Sequence, residues 1–206
     1  MRFTRFIALA LFAGALISCS DDESLGPGQG RISVRLTDAP MPLDEVESIS
    51  MFVLRIEAKA QATTDAEADE DVDDGESTSN GWIVLATPNA SFDLMDLRDG
   101  VSAFMGDAEV PAGAYHSIRL ILDTDQSGVT LKDGTVLTGA STPSILFPSA
   151  GRTGIKVLFT TPIEVVGEET TDVLLDFDAE ESFVVRGSTI LQNGLLFKPV
   201  IRASVQ

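Results

Sequence analysis

The sequence has one cysteine, one histidine, one tryptophan and one tyrosine in 206 residues. A lone cysteine excludes an internal disulfide and any zinc site built on a cysteine cluster. A lone histidine excludes histidine-rich metal centres and narrows the groups available for acid–base chemistry near neutral pH. Basic side chains are also scarce, with 14 Lys and Arg against 32 Asp and Glu, for a formal charge of −18. A surface of that sign repels phosphate backbones, so nucleic acid is excluded as a partner. What is plentiful is apolar: 44% of residues are hydrophobic, enough for one domain with a full core and too many for a disordered chain.

The first residues read as an address. Arg2 and Arg5 form a short basic region, and Phe6 to Ile17 is an apolar or small run of 12 residues. A bilayer-spanning helix needs about 20 such residues, so the run fits the hydrophobic region of a secretory signal. Leu16-Ile17-Ser18-Cys19 follows and resembles a bacterial lipobox. There, cleavage between Ser18 and Cys19 would leave a lipidated cysteine at the new terminus, and the only thiol in the chain stands where that chemistry needs it. Acylation by about two or three chains makes a stable anchor where one chain binds marginally. Without residues 1–18 the chain has 12 basic and 32 acidic side chains. Ser20-Asp21-Asp22-Glu23, with serine directly after the cysteine, is similar to outer-membrane sorting and to a surface-export signal, and equally to a plain soluble tether. The Gly- and Pro-containing stretch Leu25–Gly30 closes a flexible tether over residues 19–29, about 15–20 Å long by random-coil scaling.

The remainder, residues 30–206, reads as a single all-β domain. No stretch holds a helical apolar period for three turns, and β-branched residues dominate the apolar runs. Strands are expected at 32–36, 48–60, 82–86, 91–94, 116–123, 128–131, 135–137, 155–160, 163–166, 173–177, 183–191 and 195–204, with a short helix near 94–105. Asp133-Gly134 and Asn193-Gly194 are placed for two-residue hairpins. Pro111-Ala112-Gly113-Ala114-Tyr115 fits a tyrosine corner, in which the only tyrosine returns its hydroxyl to upstream backbone. The proline at 199 marks an edge or bulge in the last strand. The expected fold is an antiparallel Greek-key β-sandwich.

Gly30–Pro40, containing Leu36-Thr37-Asp38-Ala39-Pro40, resembles the opening of a domain-of-unknown-function family, number 4382, of bacterial and archaeal secreted lipoproteins. Val110–Leu122, Leu174–Ser182 and Leu196–Arg202 resemble the same family in the same order, so the resemblance spans roughly residues 30–203. It implies a transthyretin- or immunoglobulin-like sandwich with no established activity. The chain departs from that compact pattern in a long acidic insertion at about 62–80.

Between Asp65 and Glu76 stand eight carboxylates in 12 residues, and no Lys or Arg occurs between Lys59 and Arg98. Self-repulsion at that density favours an extended, solvated, disordered loop. Asp69, Asp71 and Asp73 alternate as in a calcium loop, but Asp74 replaces the turn glycine and Asn80 the bidentate glutamate, which leaves weak divalent-cation binding. A second acidic group is Asp38, Asp176 and Asp178. In a strand Asp176 and Asp178 share one face about 6.6–6.8 Å apart, and with Asp38 they supply the oxygen ligands a calcium ion uses. The competing account, which is preferred, has Asp38 and Asp178 accepting from turn amides while Arg119, Lys198 or Arg202 pairs with Asp176.

His116 shares parity with Ile118, Leu120 and Leu122, which half-buries it on a sheet, and no nucleophile elbow or phosphate loop accompanies it. No pair among the 32 acids is singled out for glycosidase chemistry. Trp82 and Tyr115 read as core rather than as a sugar platform. The expectation is a membrane-anchored envelope lipoprotein that is not an enzyme, holding no cofactor other than calcium and acting as a binding or structural module. Its partners would be the membrane, through Cys19, and an envelope protein or polysaccharide. The alternatives are a calcium-stabilised adhesion or carbohydrate-binding domain and, behind it, a hydrolase of envelope polymers.

Overall fold

Apolar alternation along one long strand organises the larger sheet. In the computed structural model, which describes residues 25–26, 28–38, 45–61 and 81–206, that strand is β2 (Val46–Ala60). Its core-facing side chains are Ile49, Met51 and Val53, then Ile56 and Ala58, with an irregularity in register between Val53 and Arg55 changing the parity. β2 pairs antiparallel with β3 (Trp82–Ala86), β4 (Ala90–Asp93), β6 (Gly113–Leu122) and β7 (Gly128–Leu131). Because β3 and β6 both bond to residues 56–59, they flank it on opposite edges. β8 (Val136–Thr138) extends the sheet beyond β7, and β10 (Ile155–Val165) extends it beyond β6.

The second sheet has the order β14-β11-β1-β5, built from β1 (Gln29–Asp38), β5 (Ala103–Pro111), β11 (Thr170–Phe177) and β14 (Ile201–Val205). Ile32, Val34 and Leu36 of β1 and Val173, Leu175 and Phe177 of β11 face the β2 and β6 side chains in one buried core. Each such side chain contributes about 1.5–3 kcal/mol by leaving water. A small third sheet, β12 (Phe183–Val185), β13 (Leu195–Phe197) and β9 (Ile145–Leu146), covers one end. Phe197 packs there against Phe147 and Phe183, each 5.0 Å away between ring centroids, and against Phe177 at 6.2 Å.

The all-β sandwich-like fold is thus present, with mixed rather than purely antiparallel sheets: β1 runs parallel to β11, and β13 parallel to β9. The expected helix near 94–105 contracts to a 3₁₀ turn at Leu94–Asp96, capped by the Asp93 carboxylate on the Met95 amide. Asp99 and Gly100, at φ 58° and 84°, then reverse the chain into β5, a strand whose Gly106 and Asp107 hide it from propensity. The expected strand 183–191 stops at Val185. The expected Asn193-Gly194 hairpin is instead a helical turn, α2 (Ile190–Asn193), closed by the Gly194 amide on the Ile190 carbonyl. Gly194 has φ 72°, and a Cβ there would collide with the Ser144 carbonyl oxygen. Asp133-Gly134 does join paired strands, β7 and β8. The two strands expected at 155–160 and 163–166 are one, β10, irregular between Leu158 and Ile163 where Pro162 has no amide to donate. The last expected strand divides around Pro199 into β13 and β14, which belong to different sheets.

At the β5–β6 connection the Tyr115 hydroxyl donates to the Pro111 carbonyl at 2.8 Å, and the side chain is buried. The neighbouring Ala112 amide donates to Gly28, tying this corner to the start of β1. Tyr115→Phe strands the Pro111 acceptor and should cost about 1–2 kcal/mol, read as a lower urea midpoint with an unchanged slope.

Candidate functional site

Alternation along β1 carries an unusual residue inward. Ile32, Val34 and Leu36 face the core, and the next position of that parity is Asp38, 3% exposed. Its Oδ1 accepts from the Ala179 amide at 3.2 Å, whereas its Oδ2 is buried without a hydrogen-bond partner. Burial above all, helped by the charges of Asp178 and Asp176, pushes the Asp38 carboxyl up to about 7 against the opposing pull of the Ala179 amide and the Arg98 guanidinium.

Parallel pairing sets Thr37 beside Asp176 and Asp38 beside Phe177. Phe177 fills the core, so Asp176 lies on the outward parity of β11 while Asp38 lies on the inward parity of β1. Asp178 has left the strand. It caps α1 (Ala179–Ser182), its carboxylate accepting from the Glu181 amide at 3.0 Å, and its Oδ2 stands 3.9 Å from Arg202. No group of three or more His, Cys, Asp or Glu able to hold a metal ion occurs among the described residues. Asp38, Asp176 and Asp178 are therefore not assembled as the ligand set envisaged from the sequence, because pleat and cap send them in different directions. The turn-amide account fits Asp38 and Asp178. The cation paired in register with Asp176 is Arg202, and Arg119 pairs elsewhere.

The same end of the sandwich gathers segments distant in sequence. Ser182 is fully buried; its hydroxyl donates to the Asp178 carbonyl and accepts from the Val200 amide at 2.8 Å, and its carbonyl accepts from the Lys198 amide. Thr37 donates to the Leu97 and Val101 carbonyls. The Leu36–Asp38 part of the opening, the Leu174–Ser182 segment and the Leu196–Arg202 segment thus meet through Asp38, Ala179, Ser182 and Val200, while the Val110–Leu122 segment makes the tyrosine corner.

A family model described as Domain of unknown function (DUF4382) matches residues 29–199. The chain belongs to this family. No curated protein and no solved structure matches it. The DUF4382 match runs from the first residue of β1 to the link between β13 and β14, so it takes in both ends just described.

Ser18 and Cys19, with the calcium-like Asp69, Asp71 and Asp73, lie outside the described residues. His116 is half-buried on β6. One group escaped the sequence reading. On the outer face of β2 the fully buried Glu57 carboxylate accepts from Arg55 and Arg119, and Trp82, buried as expected, packs there under Arg119 and outside the main core cluster. The signal was the alternation Arg55, Glu57, Lys59, three charges on one strand face.

Ionised Asp38 destabilises the fold. Between pH about 4 and about 7 the folded chain keeps a proton that the unfolded chain releases, so stability contributed here falls as pH rises through that window and levels off above it. The full cost is on the order of 4 kcal/mol, at about 1.4 kcal/mol per pKa unit. Asp38→Asn should remove this component, seen as a flatter melting temperature from pH 4 to 8 than in the parent chain.

Proposed function

We propose that this DUF4382 chain is a lipid-anchored lipoprotein of the cell envelope, attached through Cys19 and working as a non-enzymatic binding or structural module. The observation that carries this is the position of the only cysteine: directly after Leu16-Ile17-Ser18, behind a 12-residue apolar run and two arginines, and ten positions before β1 begins at Gln29. The intervening Ser-Asp-Asp-Glu and Gly-Pro-Gly sequence is a tether in composition. Serine after the anchored cysteine favours the outer membrane of a Gram-negative cell. The sandwich supplies a rigid body on that tether, with loops and two broad sheet faces for contact.

Mass spectrometry of the native protein should find a chain starting at Cys19 with acyl chains attached. Cys19→Ala should keep residues 1–18 and carry no acyl mass. An unmodified amino terminus on the native protein would overturn the anchor.

A further inference from the structure

The outer face of the larger sheet carries a cationic cluster in a chain of net charge −18. Register sets Val84, Glu57, Arg119 and Lys156 side by side across β3, β2, β6 and β10, and the next row is Trp82, Lys59, Ser117 and Leu158. Arg55 lies opposite Ile121. Glu57 and Ser117 are buried, and Trp82 is 8% exposed although it lies outside the core cluster. Arg55 and Arg119 contact the Glu57 carboxylate, and Lys59 and Lys156 stand at neighbouring register positions on the same face.

Glu57 uses each oxygen on a different arginine. Oε1 accepts from Arg55 Nε at 2.7 Å, and Oε2 accepts from Arg119 Nε. The Arg119 guanidinium carbon sits 4.2 Å from the Trp82 ring centroid, with Lys59 Nζ at 5.6 Å. Carboxylate and ring together fix the Arg119 plane before any ligand arrives, which lowers the ordering cost of binding. A purely structural Arg–carboxylate pair gains most from the two-pronged contact. Here the contacts to Glu57 run through Nε, and among the described residues Nη1 and Nη2 of both arginines make no hydrogen bond, on side chains 33% and 18% exposed. Two oriented forks with unused donors, flanked by Lys59 and Lys156, have the chemistry of an oxyanion receptor.

We propose that Arg55 and Arg119 form a binding site for a carboxylate or phosphate group on a small ligand of one or two negative charges. The rest of the chain decides the size: its field repels a polyelectrolyte at distance, whereas a single oxyanion meets the guanidinium forks at short range. Arg119 covers the Trp82 ring, so recognition runs through the charged group rather than through stacking on the indole. The inference supplies a ligand class for the binding module proposed above. It is independent of the lipid anchor, because its readout is binding and not location.

Trp82 is the only tryptophan and touches Arg119, so its fluorescence reports on the site. Full-length protein in non-ionic detergent, titrated with inorganic phosphate and separately with glucuronate, should show a saturable Trp82 change that sodium chloride of equal ionic strength does not produce. Arg119→Lys and Arg55→Lys keep the charge and remove the fork, and each should weaken binding at least tenfold. Arg152→Lys, outside the cluster, should leave it unchanged. Circular dichroism checks folding, and the more exposed Arg55→Lys decides the matter if Arg119→Lys misfolds. Response to phosphate alone or to glucuronate alone assigns the oxyanion and supports the site. Absence of a saturable change, equal affinity in both lysine variants, or tighter binding of polygalacturonate or anionic vesicles than of the small probes overturns it.

Discussion

One extra residue in β2 is the constraint from which the rest follows. Ile49, Met51 and Val53 face the core at odd positions; with strict alternation the next inward residues would be Arg55, Glu57 and Lys59. The irregularity between Val53 and Arg55 exchanges the parities, so Ile56 and Ala58 continue the core and the three charges turn outward. Burying even one of those charges unpaired costs several kcal/mol, far more than a ladder loses at a bulge. Since β2 bonds to β3, β4, β6 and β7, its register propagates through the larger sheet, and the same slip that completes the core also assembles the cationic face.

Two fully or nearly buried acids show opposite solutions to the same electrostatic problem. Glu57 lies on the outer face and is neutralised on both oxygens by arginines. Asp38 continues the inward row of β1 and receives one amide, from Ala179, with its second oxygen left bare. The first arrangement gathers cations; the second favours the protonated acid and links the β1 end to α1. Asp38 is thereby a device of the closed end, where Ser182 also holds Val200 and Lys198, and the tyrosine corner does the corresponding work at the end where β1 begins.

Strands rich in β-branched and other apolar residues were readable in the sequence: β1, β2, β3 and β11 fall where that composition places them, and Tyr115 makes the bond that its spacing from Pro111 suggests. β5 was not readable, because Gly106 and Asp107 carry no strand preference and the strand exists only by pairing with β1. Asn193-Gly194 misled because the positive φ of a glycine serves a helix end as well as a hairpin. The DUF4382 segments were visible one by one, but their meeting at Asp38 and Ser182 depends on the parallel β1–β11 pairing, which no local pattern encodes. Arg55-Ile56-Glu57-Ala58-Lys59 gives a charged face by alternation alone; that Arg119 and Trp82 complete it is a matter of register across β6 and β3.

Net charge and local charge then act over different ranges. At physiological salt the screening length is about 8 Å, so the overall excess of carboxylates governs what approaches the molecule, and the guanidinium positions govern what stays. Removing charge elsewhere on the surface would alter encounter rates and tolerance of polyanions without moving Arg55 or Arg119, which are held by Glu57 and, for Arg119, by Trp82. A protein this acidic is therefore not barred from recognising anions. It is restricted to those small enough to reach the outer face of β2 and β6 without meeting the field of the whole.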